Sequence, residues 1–183
     1  MSEPDLRGIE IRDCPLPHAL WARRHAWVVV DDQENAVAVF AVVQVSPDDP
    51  LLVKDCAVYT VPARRRQKLA KSLFFRARRD LADEDPPVAV QWSGVATLGG
   101  YKLAKSLGFR ISDELSATLG ASLDRRLAEN PDNERLLAIA AFRAANGGRL
   151  PCDTLGQERA DREGKYALRD AALVLKLRVA EVE

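Results

Sequence analysis

The sequence contains few of the residues from which disulfide frameworks and metal centres are built. Its 183 residues include three cysteines and two histidines. Cys14, Cys56 and Cys152 are widely spaced and odd in number, a pattern that predicts neither a disulfide framework nor a zinc site and is typical of reduced thiols. His18 and His25 lie seven residues apart, so a metal bound by them would need further ligands from elsewhere in the chain.

The chain also lacks an excess of charge of one sign and a long apolar run. Lys plus Arg and Asp plus Glu both total 27, which gives a formal net charge of +0. Electrostatic recognition must therefore be local. The longest apolar run, 36–43, is too short to span a bilayer, and the charged N-terminus lacks the apolar core of a signal peptide. These features predict a cytoplasmic protein with no membrane partner.

The first half of the chain carries mainly strand signals. Apolar residues alternate with charged ones at 9–11, and apolar residues at helical spacing predict a short helix over 16–27. Two β-branched and aromatic runs then flank the polar turn at 31–35, which is typical of a hairpin. A further long strand is predicted over 51–61.

The period of the apolar residues changes to about 3.6 after this strand, which predicts a helix from Arg65 to about Leu81. A buried strand over 88–92, a helix over 97–107 ended by Gly108, and a strand beginning at residue 109 follow.

The remainder breaks this pattern of strands and helices. A helical hairpin is predicted within 112–148, with its second helix starting at Asn130 and Pro131. A loop over 151–165 and a final strand over 171–179 follow. The whole predicts a single α/β domain, with 112–164 as a mainly helical insertion before the last strand.

Between the strand at 51–61 and the next helix, the chain turns through a strongly basic segment. Five Lys or Arg residues lie within 64–71. The first turn of a helix has unpaired N–H groups and the positive end of the helix dipole, so this arrangement favours an anion such as a pyrophosphate. A solvated helix face and a nucleic-acid-binding patch are the alternative interpretations.

The segment TVPARRRQKLAKSLF, residues 60–74, resembles the acetyl-CoA motif of the GNAT superfamily of N-acetyltransferases. In that motif a strand ends near a proline, and Arg/Gln-x-x-Gly-x-Gly/Ala opens a helix. Arg65 matches the leading residue, Ala70 the final small residue and Leu73 the leucine of the helix. Lys68 stands where the family's first glycine is usual.

Other segments are similar to the same family. Residues 88–111 resemble its next strand, its cofactor-side helix and the Leu-Gly-Phe sequence that follows. Thr97 stands where asparagine is common, and Ala104 stands where a tyrosine often acts as the general acid. Residues 27–45 resemble its second and third strands, and 166–179 its closing strand. Residues 112–164 have no counterpart.

The resemblance implies the fold of the acyl-CoA N-acyltransferases and transfer of an acetyl group from acetyl-CoA to an amine. It also implies that the fourth and fifth strands diverge to admit the pantetheine. The catalytic candidates are Asp55 and Tyr59 on one strand face, and Tyr101 one turn before Ala104. The implied cofactor-binding residues are Val58, Thr60, Val61, Arg65, Arg66, Gln67, Lys68, Leu69, Ala70, Lys71 and Thr97; no metal site is expected.

Two further interpretations remain open from the sequence. One is an enzyme that uses a different acyl-CoA. The other is a catalytically inactive acetyltransferase-like module that binds protein or nucleic acid, which the departures at Lys68 and Ala104 favour. The acceptor amine is not predicted, and a homodimer through the apolar helix at 136–145 competes with packing of that helix on its neighbour.

Overall fold

The computed structural model of the chain describes residues 9–16, 25–45, 48–49, 51–90, 98–109, 113–150 and 156–180. The chain divides into two compact units, one formed by residues 1–92 and 160–183 and the other by residues 93–159. The prediction of a single domain with 112–164 inserted is not tested by this division and stays a prediction.

The described residues form six strands and five α-helices, so the prediction of an α/β fold is confirmed. The strands are β1 (Glu10–Pro15), β2 (His25–Val30), β3 (Asn35–Val45), β4 (Leu52–Thr60), β5 (Ala89–Val90) and β6 (Arg178–Val179). The helices are α1 (Leu69–Ala82), α2 (Leu98–Ser106), α3 (Asp113–Glu129), α4 (Glu134–Ala145) and α5 (Gly156–Leu175). The predicted helix over 16–27 is wrong at its end, because residues 25–27 belong to β2; residues 17–24 lie outside the described chain.

The strands form one mixed sheet in the order β1-β2-β3-β4-β5. The first four strands pair antiparallel with one another, which confirms the predicted hairpin, and β5 runs parallel to β4. Strand β6 pairs in parallel with residues 35–36 of β3. Since β4 pairs with β3 only from Ala38 onward, β6 lies beside β3 just past the end of β4.

The two central strands are apolar on both faces because helices cover the sheet from both sides. Residues 26–30 and 36–42 are all 0% or 1% exposed, which is typical of strands covered on both faces. On one face, Phe40 of β3 stacks edge-on against Trp27 of β2 and against Phe74 of α1. The indole N–H of Trp27 donates to Asp80 of α1 over 2.8 Å, which further attaches this helix to the sheet.

The opposite face of the sheet is covered by α5, where the sequence predicts a loop and a strand. The predicted loop is therefore wrong over 156–165, while 151–155 lie outside the described residues. The predicted strand is wrong over 171–175, and β6 is limited to Arg178–Val179. The buried residues of α5 recur at helical spacing and are mostly small: Gly164, Ala167, Leu168, Ala171 and Ala172. Alanine and leucine are strong helix formers, and burial along this one stripe selects the helix. The resemblance to the family's closing strand is not retained in this segment.

The unit of residues 93–159 contains the predicted helical hairpin, formed by α3 and α4. Its apolar cluster is centred on Leu123, Leu136, Ile139 and Leu150. Helix α4 begins at Glu134 rather than at Pro131, because the side chain of Asn133 caps the helix by accepting the N–H of Leu136.

Helix α2 ends as predicted at a glycine. Gly108 has a φ of 82°, and the N–H of Phe109 donates back to the carbonyl of Ala104. Phe109 itself is not in a strand, and residues 110–112 lie outside the described chain. Among the described residues, no helix combines the length and apolar character needed to cross a membrane.

Candidate functional site

The turn between β4 and α1, residues 61–68, is fixed at its start and bends sharply before the helix. The N–H of Val61 donates to the carbonyl of Val37 over 2.9 Å, and a short 3₁₀ turn, Pro62–Arg64, follows. Arg66 and Lys68 then adopt left-handed backbone conformations, with φ of 67° and 61°. Left-handed backbone costs an L-residue roughly 1–2 kcal/mol, so the rest of the structure must hold this turn in place.

Lys68 occupies the position at which the resembled motif has a glycine, and its backbone adopts the conformation for which glycine is favoured. Its φ of 61° and ψ of 15° lie in the left-handed region, and its side chain is exposed. A left-handed residue next to a helical one turns successive N–H groups toward the same side, which is the backbone geometry of an anion-binding nest. The lysine therefore departs from the motif in its side chain but keeps the backbone shape.

The amides that follow this bend have no hydrogen-bond partner in the described part of the chain. The first bond of the helix runs from the N–H of Ser72 to the carbonyl of Lys68. The N–H groups of residues 66–71 precede this bond. Within the described chain they have no hydrogen-bond partner, and no side chain caps the helix. The positive end of the helix dipole adds to the potential there.

The cations of the turn fall into two groups. Arg64 and Arg65 are engaged with the protein: Arg64 donates to Gln67, and Arg65 donates to the carbonyl of Thr60 over 3.2 Å. Arg66, Lys68 and Lys71 make no ion pair within the described residues, and the first turn of α1 contains no acidic residue. Unpaired amides and unpaired cations thus lie together at one helix terminus.

Tyr59 lies near this turn but on the other face of the sheet. Its partner across β3 is Val39, whereas Val58 faces the α1 side opposite Phe40. Tyr59 is 8% exposed, and a Cβ added to Gly164 would stand 2.7 Å from the Tyr59 Cβ, so α5 approaches β4 closely here. The guanidinium of Arg65 lies over the ring of Tyr59, with 5.9 Å between its central carbon and the ring centroid.

The other sequence-predicted residues are distributed as follows. Thr60 and Val61 end β4 and begin the turn, Leu69 is buried against the sheet, and Ala70 is partly exposed in the first turn of α1. The side chains of Asp55 and Tyr101, and all of Thr97, lie outside the described residues, so their proposed roles stay predictions.

The predicted divergence of β4 and β5 falls largely outside the described chain. Within the described residues, the two strands pair at Leu52–Val53 with Ala89–Val90, while β4 continues to Thr60. The segment that would line the other side of a groove, 91–97, is outside the described residues, so the groove stays a prediction.

Sequence reasoning missed two residues that shape this region, Gly164 and Asp31. Gly164 permits the close approach of α5 to Tyr59. The sequence predicts a loop at this position, and no local signal marks the glycine as a helix contact. Asp31 begins the β2–β3 turn, and its side chain is only 9% exposed. Burial raises the pKa of Asp31, but hydrogen bonds from Asn35 and Gln33 and the charge of Arg64 outweigh it and leave the pKa below its ordinary value.

The described chain offers no metal centre, and its buried Cys14 thiol is not activated. No group of three or more His, Cys, Asp or Glu side chains there is arranged to hold a metal ion. Burial, with a contribution from Asp13, raises the pKa of the Cys14 thiol to about 11, so this thiol is protonated and unreactive at neutral pH.

Comparison with known proteins does not assign the chain to a family. No family model, no curated protein and no solved structure matches it.

Proposed function

We propose that the protein is an N-acetyltransferase of the GNAT type that binds acetyl-CoA at the β4–α1 turn. The observation that carries this proposal is the set of amides over 66–71 that have no partner in the described chain, with Lys68 among them in a glycine-like conformation. A pyrophosphate has several negatively charged oxygens, and backbone N–H groups at a helix terminus bind such oxygens well.

The cations around the turn support the same ligand. Arg66, Lys68 and Lys71 have no acidic partner within the described residues, so their charges are available to an anion. A charge-assisted hydrogen bond contributes about 1.5–3 kcal/mol, which corresponds to roughly one to two orders of magnitude in affinity for each good contact.

The reaction would proceed by direct attack of an amine on the thioester. The amine nitrogen bonds to the carbonyl carbon, the C–S bond breaks, and the products are an amide and the CoA thiol. A base removes a proton from the amine, and Asp55 and Tyr59 are the proposed candidates. The departing thiolate takes up a proton, for which Tyr101 is the proposed donor because Ala104 has no hydroxyl. Backbone amides over 58–60 are proposed to stabilise the charge that develops on the carbonyl oxygen, since the N–H of Val61 is already paired with the carbonyl of Val37.

Calorimetry with CoA tests the binding step with a matched pair of variants. Arg66 and Arg78 are both exposed and without an ion pair in the described chain, but Arg78 lies near the far end of α1. We expect Arg66→Glu to weaken CoA binding at least tenfold and Arg78→Glu to change it less than about twofold. Equal losses in the two variants, or no CoA binding by the unaltered protein, would contradict the proposal.

Two further measurements separate the proposal from the binding-module interpretation. Release of free CoA thiol from acetyl-CoA in the presence of a panel of amines tests the transfer itself. If CoA does not bind, and the protein instead binds RNA or DNA with a salt dependence that both glutamate variants reduce, the whole exposed face of α1 is a nucleic-acid surface.

A further inference from the structure

Arg64 is the first cation of the basic turn, yet its contacts differ from those of its neighbours. Its Nε donates to the Oε1 of Gln67 over 2.9 Å, and its Nη1 lies 3.9 Å from the Oδ2 of Asp31. The side chain is 29% exposed, whereas Arg66 and Lys68 are both exposed residues. Two ends of one guanidinium therefore connect two separate turns of the chain.

The Asp31 carboxylate is a rigid anchor for this connection. Its Oδ1 accepts the N–H of Gln33 and the N–H of Asn35 over 3.0 and 2.9 Å, and its Oδ2 accepts the Asn35 side-chain amide over 3.2 Å. These bonds hold the carboxylate within the β2–β3 turn, and the pairing of β2 with β3 fixes the position of that turn.

Gln67, at the other end, is the residue between the two left-handed positions of the β4–α1 turn. Arg66 and Lys68 hold unfavourable φ values only while their surroundings impose them. Within the described chain, two side-chain hydrogen bonds reach this stretch from outside it. The Ser72 hydroxyl, in the first turn of α1, donates to the carbonyl of Lys68 over 3.3 Å, and the bond from Arg64 is the one that connects the stretch to a separate turn of the chain.

We propose that Arg64 is a positioning residue, which links Asp31 to Gln67 and so holds the amides of 66–68 in their anion-binding arrangement. This inference rests on the proposed function, because it assigns a role at the same site. It separates the basic run into one residue that shapes the turn and others, beginning with Arg66, that contact the ligand.

A set of conservative variants distinguishes positioning from direct charge contact. Lysine keeps the charge of Arg64, but it lacks the planar guanidinium that donates to Gln67 from one nitrogen while another nitrogen faces Asp31. We therefore expect Arg64→Lys and Arg64→Met to weaken CoA binding by similar factors, about five- to tenfold, while Arg66→Lys retains most of the affinity that Arg66→Met loses. If Arg64→Lys instead binds like the unaltered protein, Arg64 acts as a simple charge and the proposal is wrong.

The dependence of CoA affinity on salt gives a second readout that a loss of folding stability does not move. Removing a cation that contacts phosphate makes binding less sensitive to salt, since one screened attraction is lost. We expect this reduced sensitivity in Arg66→Met, and an unchanged sensitivity with uniformly weaker binding in Arg64→Met. Reduced sensitivity in Arg64→Met would overturn the assignment.

Limited proteolysis tests the link without any ligand. Gln67→Ala removes the acceptor of Arg64 but leaves every trypsin cleavage site of the turn in place. We expect trypsin to cleave bonds within 64–68 about fivefold faster in Gln67→Ala, because loss of the link increases local opening. Gln33→Ala is the matched control, since Gln33 is exposed and only its backbone N–H bonds to Asp31.

Proteolysis, which needs no ligand, and the CoA-binding measurements together separate failure of this inference from failure of the proposed function. Faster cleavage in Gln67→Ala supports the link whether or not CoA binds. Equal cleavage of Gln67→Ala, Gln33→Ala and the unaltered protein overturns it, even if CoA binds at the turn.

Discussion

Two helices of this protein begin in opposite ways. Helix α4 starts after Asn133, whose side chain accepts the N–H of Leu136 over 3.1 Å, and Glu134 adds an acidic residue to the first turn. Helix α1 starts after Lys68 in a left-handed conformation, has no acidic residue in its first turn, and receives no side-chain cap from the described residues. The two helices belong to different compact units of the chain.

The difference shows which helix terminus is optimised for stability. A side-chain cap contributes about 1 kcal/mol, and an acidic residue near the helix N-terminus typically 0.3–1 kcal/mol. Helix α4 has both contributions. Helix α1 has neither, and it has Lys68 and Lys71 at its positive end, where cations are unfavourable. A terminus that gives up this stability and leaves amides unpaired is typical of a binding site.

The largest expected effect is on ligand binding, and it comes from making α1 resemble α4. Lys71→Glu places an acidic residue in the first turn of α1. We expect CoA affinity to fall by about ten- to a hundredfold, since a favourable charge contact is replaced by repulsion. Calorimetry measures the affinity, and chemical denaturation should show that the free protein is no less stable than before.

The control for this variant is Arg78→Glu, the same reversal of charge at an exposed position near the far end of α1. It should leave CoA affinity within about twofold of the starting value. Equal losses of affinity in the two variants would show that overall charge, rather than the α1 terminus, governs binding.

The next effect is the loss of the α4 cap. We expect Asn133→Ala to lower the free energy of unfolding by about 1 kcal/mol, because the N–H of Leu136 loses its acceptor. Urea denaturation of the transition that includes α4 measures the change. Asn130→Ala, at an exposed position of the same turn, should be nearly neutral; a comparable loss there would assign the effect to the turn as a whole.

A glycine at the cap position should act in opposite directions on the two helices. Lys68→Gly is expected to stabilise the protein by about 0.5–1 kcal/mol, because the left-handed φ of 61° is no longer strained. Asn133→Gly is expected to destabilise it by a few tenths of a kcal/mol. Denaturation midpoints of both variants check the signs, and destabilisation by Lys68→Gly would mean that the lysine side chain itself supports the turn.

The smallest effect concerns the carboxylate that anchors Arg64. The pKa of Asp31 in the folded protein is below its ordinary value of 3.8. A lowered folded-state pKa contributes stability that is present above the unfolded value and is lost as the pH falls through the folded value. The stability difference between the unaltered protein and Asp31→Asn should therefore be constant near neutral pH and shrink below about pH 4. A difference that stays constant down to pH 2 would show that Asp31 acts through its shape alone.

The sequence predicted the sheet and α1 well because their signals are local. Residues 36–42 are a continuous apolar run that matches a strand buried on both faces, and Leu69 and Leu73 mark the buried stripe of α1. The turn was also predicted from residues that are neighbours in the chain. Its left-handed positions were not, because a lysine gives no indication of a positive φ.

The sequence failed where the outcome depends on what a segment packs against. Residues 171–179 contain leucines and valines that suit a strand, yet most of this stretch continues the helix of α5. Leu173 is 78% exposed, while Ala171 and Ala172 are buried, so local apolar content and burial do not coincide. The link from Asp31 to Arg64 was missed for a related reason, since it joins two turns that lie far apart in the chain.

By itself, the sequence determined that this protein has an α/β fold and a basic turn between a strand and a helix, because hydrophobic periodicity and local charge act over a few residues. The tertiary structure alone decided that α5 is a helix and that Gly164 lets it approach Tyr59 closely. It also decided that Arg64 lies beside Asp31, while Arg66 and Lys68 have no ion pair within the described chain. The physical reason is that burial and pairing of charges depend on contacts between residues that are distant in the chain, and local patterns carry no information about those contacts.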